Sequence, residues 1–317
     1  EDGIRDYKVT GVQTCALPIF TCLEDLQGVV RFDDHQRFLE LMAEAIAGQR
    51  MLVGTADNDA GLRPDIVACN GRDIFLPVAV EVFDNKSGNF DFYRISLLHQ
   101  LGFLEFGCFE HIFRVREYLT GFDDAALAQH IFSSVENARI DWLLEHRYPG
   151  IKNAMALQKE KAWSDRNAEL LTDTQQLLEA LIGIGLDAHF EPRINNHLIV
   201  LTTELWSSLE PIRQAEATID DAMQVATQCY NLLRDYLRSS VLDFNEEQAA
   251  LLTLAELPEP VAFRGEMDMA EVESTLRIDA LIRELEESVG DEKDTLSIGA
   301  GDPDQVDLSD LVEGEVG

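Results

Sequence analysis

Apolar residues recur at helical spacing along most of the chain. In Phe32–Ala47 they return every three or four positions on one face, and Gly48 supplies a stop. The same period predicts further helices at Asn89–Gly107, Ala125–Tyr148, Asp165–Ile184, Leu209–Arg238, Asn245–Leu254 and Met269–Val289. The hydrophobic pattern therefore predicts a mainly α-helical protein.

Between the first two helices the pattern changes to alternation of apolar and polar residues. Asp65–Cys69 and Asp73–Leu76 flank Asn70-Gly71, a pair typical of two-residue hairpin turns because both residues tolerate positive φ. A third strand is predicted at Ala79–Phe83. The predicted fold class is therefore mainly α with a small β-hairpin (α+β).

Charge limits the classes of partner. The chain has 25 Lys and Arg against 59 Asp and Glu, a formal net charge of −34, which repels nucleic acid phosphates and anionic lipid surfaces. No apolar run is long enough for a membrane helix, so we expect a cytoplasmic protein without membrane insertion. Glu256–Gly317 is strongly acidic, and beyond Gly290 the sequence lacks periodicity and predicts a disordered tail.

The first nineteen residues are unusual in the codons that could encode them. Reverse translation of Glu1–Ile19 permits the codons of an indexed short-read library adapter, interrupted at Tyr7-Lys8 where the index would lie. We expect this segment to be an artefact that carries no information about the fold; the alternative is a natural N-terminal segment with a turn at Gly11 and Pro18. The remaining cysteines have no zinc-type spacing and are predicted to be reduced thiols, at Cys22, Cys69, Cys108 and Cys229.

Two segments carry the candidate chemistry. Tyr93–Phe109 reads YRISLLHQLGFLEFGCF, and Phe132–Gly150 reads FSSVENARIDWLLEHRYPG. The first is similar to a zincin helix, in which HExxH places two histidines on one face and a glutamate activates zinc-bound water. Here His99, Gln100 and Phe103 occupy the three positions, so the base and the second histidine are missing.

Together the segments resemble the N-terminal region of NorD and CbbO proteins, which carry approximately HQxGHxxFGTF followed by an F…xExxRID…YPG stretch. The resemblance covers Phe32–Gly150 well and the later helices loosely. Its motif positions in this chain are His99, Gln100, Gly102, Phe106, Gly107, Glu136, Arg139 and Asp141. The family joins this region to a von Willebrand factor A domain that recruits targets to a MoxR-type AAA+ ATPase. That domain has no counterpart here, so we expect a chain truncated at both ends.

The motif residues allow two interpretations. In the favoured one, His99 is a buried histidine satisfied by Glu136 or a backbone carbonyl, and Glu136 pairs with Arg139 across one helical turn, contributing about 0.2–0.5 kcal/mol if exposed. In the alternative, His99 and Glu136 hold a metal. The expected organisation is a degenerate zincin-like helix-hairpin-helix region at 20–150, a helical region at 151–289 and the acidic tail at 290–317.

The resemblance implies a non-enzymatic adaptor that helps a MoxR-type AAA+ ATPase to activate or remodel a protein target, without a cofactor. A zincin-like metallopeptidase or metal-binding protein is the alternative, and a helical module with no partner is the third interpretation. Metal analysis separates the first two, and co-purification with the ATPase separates the first from the third.

Overall fold

Helices dominate the computed structural model, which describes residues 28–55, 66–166, 171–186, 193–241, 257–265 and 269–282. The strands are short: β1 (Val30–Arg31), β2 (Leu52–Thr55), β3 (Ala68–Cys69), β4 (Asp73–Leu76) and β5 (Ala79–Val80). The helices are α1 (Gln36–Ala47), α2 (Lys86–Glu105), α3 (Ile112–Thr120), α4 (Ala125–Arg147), α5 (Lys152–Ser164), α6 (Asp173–Leu186), α7 (Ile199–Ser208) and α8 (Ile219–Val241). Residues 269–282 are also helical. The predicted fold class, mainly α with a small β component, is confirmed.

The strands form two small sheets. In the three-stranded sheet, β4 lies between β2 and β3, parallel to β2 and antiparallel to β3. In the other sheet, β5 pairs with β1. The hairpin of β3 and β4 was predicted; the strands β1 and β2 were not, because each pairs with a strand distant in the chain rather than across a turn.

The hairpin turn lies one residue later than predicted. The backbone N–H of Asn70 donates to the carbonyl of Asp73 over 3.2 Å, which leaves Gly71 and Arg72, rather than Asn70 and Gly71, as the loop residues. Asn70 instead accepts hydrogen bonds through Oδ1 from the N–H groups of Arg72 and Asp73. Gly71 has a φ of 90°, a value that side chains with a Cβ rarely adopt.

Replacing Gly71 with valine is expected to lower the free energy of unfolding by about 1–3 kcal/mol, because a β-branched residue is strained at positive φ. Urea unfolding of the wild type and the variant measures the loss. Gly150→Val is a matched control, since a Cβ at Gly150 meets no atom within 4 Å. An equal effect of the two substitutions would contradict the assignment of strain to Gly71.

The predicted bounds are accurate for the helices with the strongest hydrophobic period and inaccurate for those with a weaker one. The predictions for α2 and α4 agree with the structure to within a few residues. The predicted helix Asp165–Ile184 begins only at Asp173, and Leu209–Arg238 divides into a 3-10 turn at Glu210–Arg213 followed by α8. The helices α3, α5 and α7 were missed. Several predictions lie outside the described residues: Glu1–Ile19, Asn245–Leu254, the end of Met269–Val289 and the tail at 290–317.

The helix α2 is fixed to the strands by polar side chains. Asn85 caps its N-terminus by accepting from the N–H of Gly88. Asn89 is fully buried and accepts from the N–H groups of Val82 and Phe83, while the hydroxyl of Tyr93 donates to the carbonyl of Pro77. These contacts set the position of the motif helix against the sheets.

The core lies around α2 and α4. The helix α4 packs against α2, α6 and α8, and most of its residues are buried. The described residues up to Glu273 form one compact unit, so helices on both sides of residue 150 share this core. The described part of a second unit, residues 274–282, is helical. Within the described ranges, no helix combines the length and the apolar character needed to cross a membrane.

Candidate functional site

The two motif segments meet where α2 and α4 cross. Gly102 on α2 allows this approach, because a Cβ there would lie 2.5 Å from Cγ2 of Ile140 on α4. His99 and Gln100 of α2 are buried next to the inward face of α4. The sequence places the candidate residues on the correct pair of helices, and the crossing brings them together.

His99 is held from α4 through both ring nitrogens. Its Nδ1 lies 2.8 Å from Oδ1 of Asp141, and its Nε2 lies 2.9 Å from Oδ1 of Asn137. Phe103 packs edge-on against the ring, with 5.3 Å between centroids. Both contacts join a ring nitrogen to a side-chain oxygen of α4, so the position of the ring is fixed from both sides.

Arg264 completes what we call the His99 cluster, which consists of His99, Asn137, Asp141 and Arg264. Arg264 donates through Nε and a terminal nitrogen to Oδ2 of Asp141, over 3.1 and 2.7 Å. It also donates to the carbonyl of Gly185, and its own carbonyl accepts from Nε2 of Gln100. The cluster therefore joins α2, α4, α6 and the segment 257–265.

The charge on Asp141 is strongly stabilised. Burial alone would raise its pKa, but Arg264, Lys159 and His99 together outweigh burial and hold the pKa well below its ordinary value. The Lys159 ammonium lies 3.5 Å from Oδ2 of Asp141 and also pairs with Glu145. Asp141 is thus an ionised, fully buried anchor of the cluster.

Glu136 and Arg139 form a second buried pair on α4. Arg139 donates through Nε and a terminal nitrogen to both carboxylate oxygens of Glu136, over 2.8 and 2.6 Å, and both side chains are only 1% exposed. It also donates to the carbonyls of Phe106 and Ala217. Burial would lower the pKa of Arg139, but Glu136 more than offsets this and raises it. The predicted pair is present, and it is buried rather than exposed.

The structure corrects the predicted partner of His99. The ring is satisfied by Asp141 and Asn137, not by Glu136 or a backbone carbonyl. Both carboxylate oxygens of Glu136 are engaged by Arg139. His99 and Glu136 are therefore in separate hydrogen-bond networks, and the structure does not pair them. Among the described residues, no group of three or more His, Cys, Asp or Glu is placed to hold a metal ion.

The other motif residues have structural contacts. Gln100 binds the carbonyl of Arg264, Phe106 gives its carbonyl to Arg139, and Gly107, with a φ of 79°, follows the end of α2. The sequence did not identify Arg264 and Ala217 as partners of the motif residues. Arg264 lies 123 positions from Asp141 along the chain, and Ala217 lies 78 positions from Arg139. Asn137 could have been identified from the local sequence, since it follows Glu136 on the motif helix.

Three of the four cysteines that were predicted to be reduced thiols fall within the described residues. Cys69, Cys108 and Cys229 are buried and free. Burial raises the pKa of Cys69 and of Cys229 to about 12 and that of Cys108 well above its ordinary value. These thiols are therefore protonated and unreactive at neutral pH.

A half-open cavity of about 360 Å³ lies beside the His99 cluster. One wall is the α4 face that carries Ser133 and Asn137, and other walls come from α2, α6 and the segment 257–265. Glu136 and Arg264 contribute to its surface, so both buried networks border the same space.

His130 also lines this cavity and is expected to make stability depend on pH. Burial, reinforced by Arg166, lowers its pKa to about 4, whereas an unfolded histidine titrates near 6.5. As pH falls, the unfolded chain therefore binds the proton first, and stability is lost between about pH 6.5 and 4.

Between pH 7 and pH 4, we expect the free energy of unfolding of His130→Phe to fall by about 2–3 kcal/mol less than that of the wild type. The difference follows from 1.36 kcal/mol per pKa unit. Urea unfolding at a series of pH values measures it. An NMR titration of the His130 ring in the folded protein provides the check. A midpoint near the ordinary histidine value would contradict the expectation.

Comparison of the chain with protein-family models, with curated proteins and with solved structures finds no match.

Proposed function

We propose that this protein is a non-enzymatic, cytoplasmic adaptor that works with a MoxR-type AAA+ ATPase in activating or remodelling a target enzyme. Support comes from the resemblance of Tyr93–Phe109 and Phe132–Gly150 to the NorD and CbbO motifs. The observation that carries the non-enzymatic part is the hydrogen bonding of the motif side chains. His99, Glu136 and Asp141 each direct their polar atoms into buried contacts within the protein.

A catalytic group must reach a substrate with a free proton or lone pair. Among the motif residues, His99 on α2 contacts Asp141 on α4, and Arg139 on α4 donates to the carbonyls of Phe106 and Ala217. Asp141 in turn binds Arg264, which donates to the carbonyl of Gly185 on α6. We propose that these residues form a degenerate zincin-like scaffold, in which ion pairs replace the metal as the cross-link between helices. Such a scaffold supplies a rigid surface rather than a reaction centre.

The test uses the full chain and a purified MoxR-type ATPase from the same source. We expect a complex that co-migrates in analytical ultracentrifugation and a change in the rate of ATP hydrolysis when the chain is added. An unrelated protein of similar negative charge is the control, because a net charge of −34 attracts basic surfaces without specificity. Absence of both effects, or equal effects from the control protein, would rule out the adaptor role.

The zincin-like alternative makes a separate prediction about zinc. With one histidine, no second histidine on its helix face and glutamine at the position of the base, we expect less than stoichiometric zinc by elemental analysis after expression in zinc-supplemented medium. We also expect a chelator to leave the unfolding transition unchanged. One zinc per chain that is lost in His99→Ala would favour the metalloprotein over the scaffold.

A further inference from the structure

The cavity beside α4 has the size and the lining of a ligand site. Its volume of about 360 Å³ lies within the range of about 300–1,000 Å³ that is common for small-molecule pockets. Most of its buried lining side chains are apolar. The exposed lining residues mark where it opens to solvent: Ala126, Gln129, Leu257 and Pro260. The buried apolar lining consists of Phe103, Phe132, Ile182, Val261 and Met269. The site thus accepts a mainly apolar molecule.

The acidic and the basic side chain among the described lining residues each have a buried counter-charge. Glu136 is paired with Arg139, and Arg264 is paired with Asp141. His130, whose pKa is lowered to about 4, is uncharged at neutral pH. A charged ligand would lose its hydration without gaining an opposite charge, so the described wall favours a neutral one.

Asn137 gives the cavity a specific polar contact. Its Oδ1 lies 2.9 Å from Nε2 of His99, which fixes the orientation of the amide. The Nδ2 group then has two N–H donors for which the described residues supply no partner, on a side chain that is partly exposed in the cavity wall. Ser133, four positions earlier on α4, presents its hydroxyl on the same helix face.

We propose that this cavity binds a neutral, mainly apolar small molecule whose carbonyl oxygen accepts hydrogen bonds from Nδ2 of Asn137 and the hydroxyl of Ser133. The His99 cluster positions Asn137 for this contact by holding its amide oxygen. This site is independent of the adaptor role, since it requires neither the ATPase nor the target.

The test compares four phenyl compounds of similar size that differ in one group. Benzylacetone carries a neutral carbonyl, butylbenzene carries no acceptor, hydrocinnamate is an anion and phenylpropylamine is a cation. In calorimetric or ligand-observed NMR titrations of the full chain, we expect benzylacetone to bind at least about tenfold more tightly than the other three. Equal binding of butylbenzene, or a preference for the amine, would overturn the assigned contact.

Substitutions then locate the site. Asn137→Asp keeps an oxygen facing His99 and removes both N–H donors. It should therefore weaken the binding of benzylacetone at least about tenfold and leave the binding of butylbenzene unchanged. Ser133→Phe fills the cavity and should abolish binding of both, whereas Ser207→Phe on α7, outside the cavity, should not. If Ser133→Phe does not fold, Gln129→Trp at the exposed rim replaces it with the same expectation. Wild-type binding in the cavity-filling variant would refute the site.

Discussion

Arg139→Met is expected to lower the free energy of unfolding by about 3–5 kcal/mol, because it leaves the buried carboxylate of Glu136 without its counter-charge. The loss extends beyond one ion pair. Arg139 also donates to the carbonyls of Phe106 and Ala217, which are left without this donor. Urea unfolding followed by circular dichroism measures the change.

Two further variants distinguish the effect of burying the Glu136–Arg139 pair from the effect of losing a salt bridge in general. Arg37→Met breaks the Arg37–Glu40 pair, which has the same spacing but an arginine that is 75% exposed, and should cost no more than about 1 kcal/mol. The double variant Glu136→Leu/Arg139→Met removes both buried charges and should recover part of the loss. Equal costs for Arg139→Met and Arg37→Met would mean that burial does not determine the stability contributed by Glu136 and Arg139.

Local pattern was sufficient for much of the fold. The helices α2 and α4 have long apolar periods, and each begins at a side chain that accepts from its first turn, Asn85 and Asp124. The hairpin was found because of Asn70-Gly71, although Asn70 uses its side chain to hold the turn rather than to form its first loop residue. The strands β1 and β2 depend on pairing with distant segments, which a local period does not encode.

The site shows the same division between local and distant information. The pairing of Glu136 with Arg139 follows from their spacing on one helix. Its burial does not, because it depends on Phe106 and Ala217 arriving from other elements. Likewise, His99 indicated a buried polar centre, but the partner that balances Asp141 is Arg264, which only the tertiary fold brings there.

Asp141→Asn is expected to cost about 3–5 kcal/mol at pH 7, since it leaves the buried guanidinium of Arg264 without an anion. The side chains of Asp141 and Arg264 are 0% and 1% exposed, so solvent cannot replace the lost charge. Asp173→Asn is the matched control. Like Asp141, Asp173 contacts a histidine, His197, and it accepts a further hydrogen bond from Tyr236, but its side chain is 37% exposed. Asp173→Asn should therefore lower the free energy of unfolding by no more than about 1 kcal/mol.

The cost of Asp141→Asn should also depend on pH in one direction. The folded pKa of Asp141 lies below its ordinary value because Arg264, Lys159 and His99 overcome burial, whereas in the unfolded chain an aspartate titrates near 3.9. The unfolded state therefore takes up the proton first on acidification, and the stability from Asp141 is complete above about pH 5 and declines below about pH 4. The difference in free energy of unfolding between wild type and Asp141→Asn, measured by urea unfolding, should accordingly narrow as the pH falls below about 5. A difference that widens below about pH 5 would mean that Asp141 is not the ionised anchor of the His99 cluster.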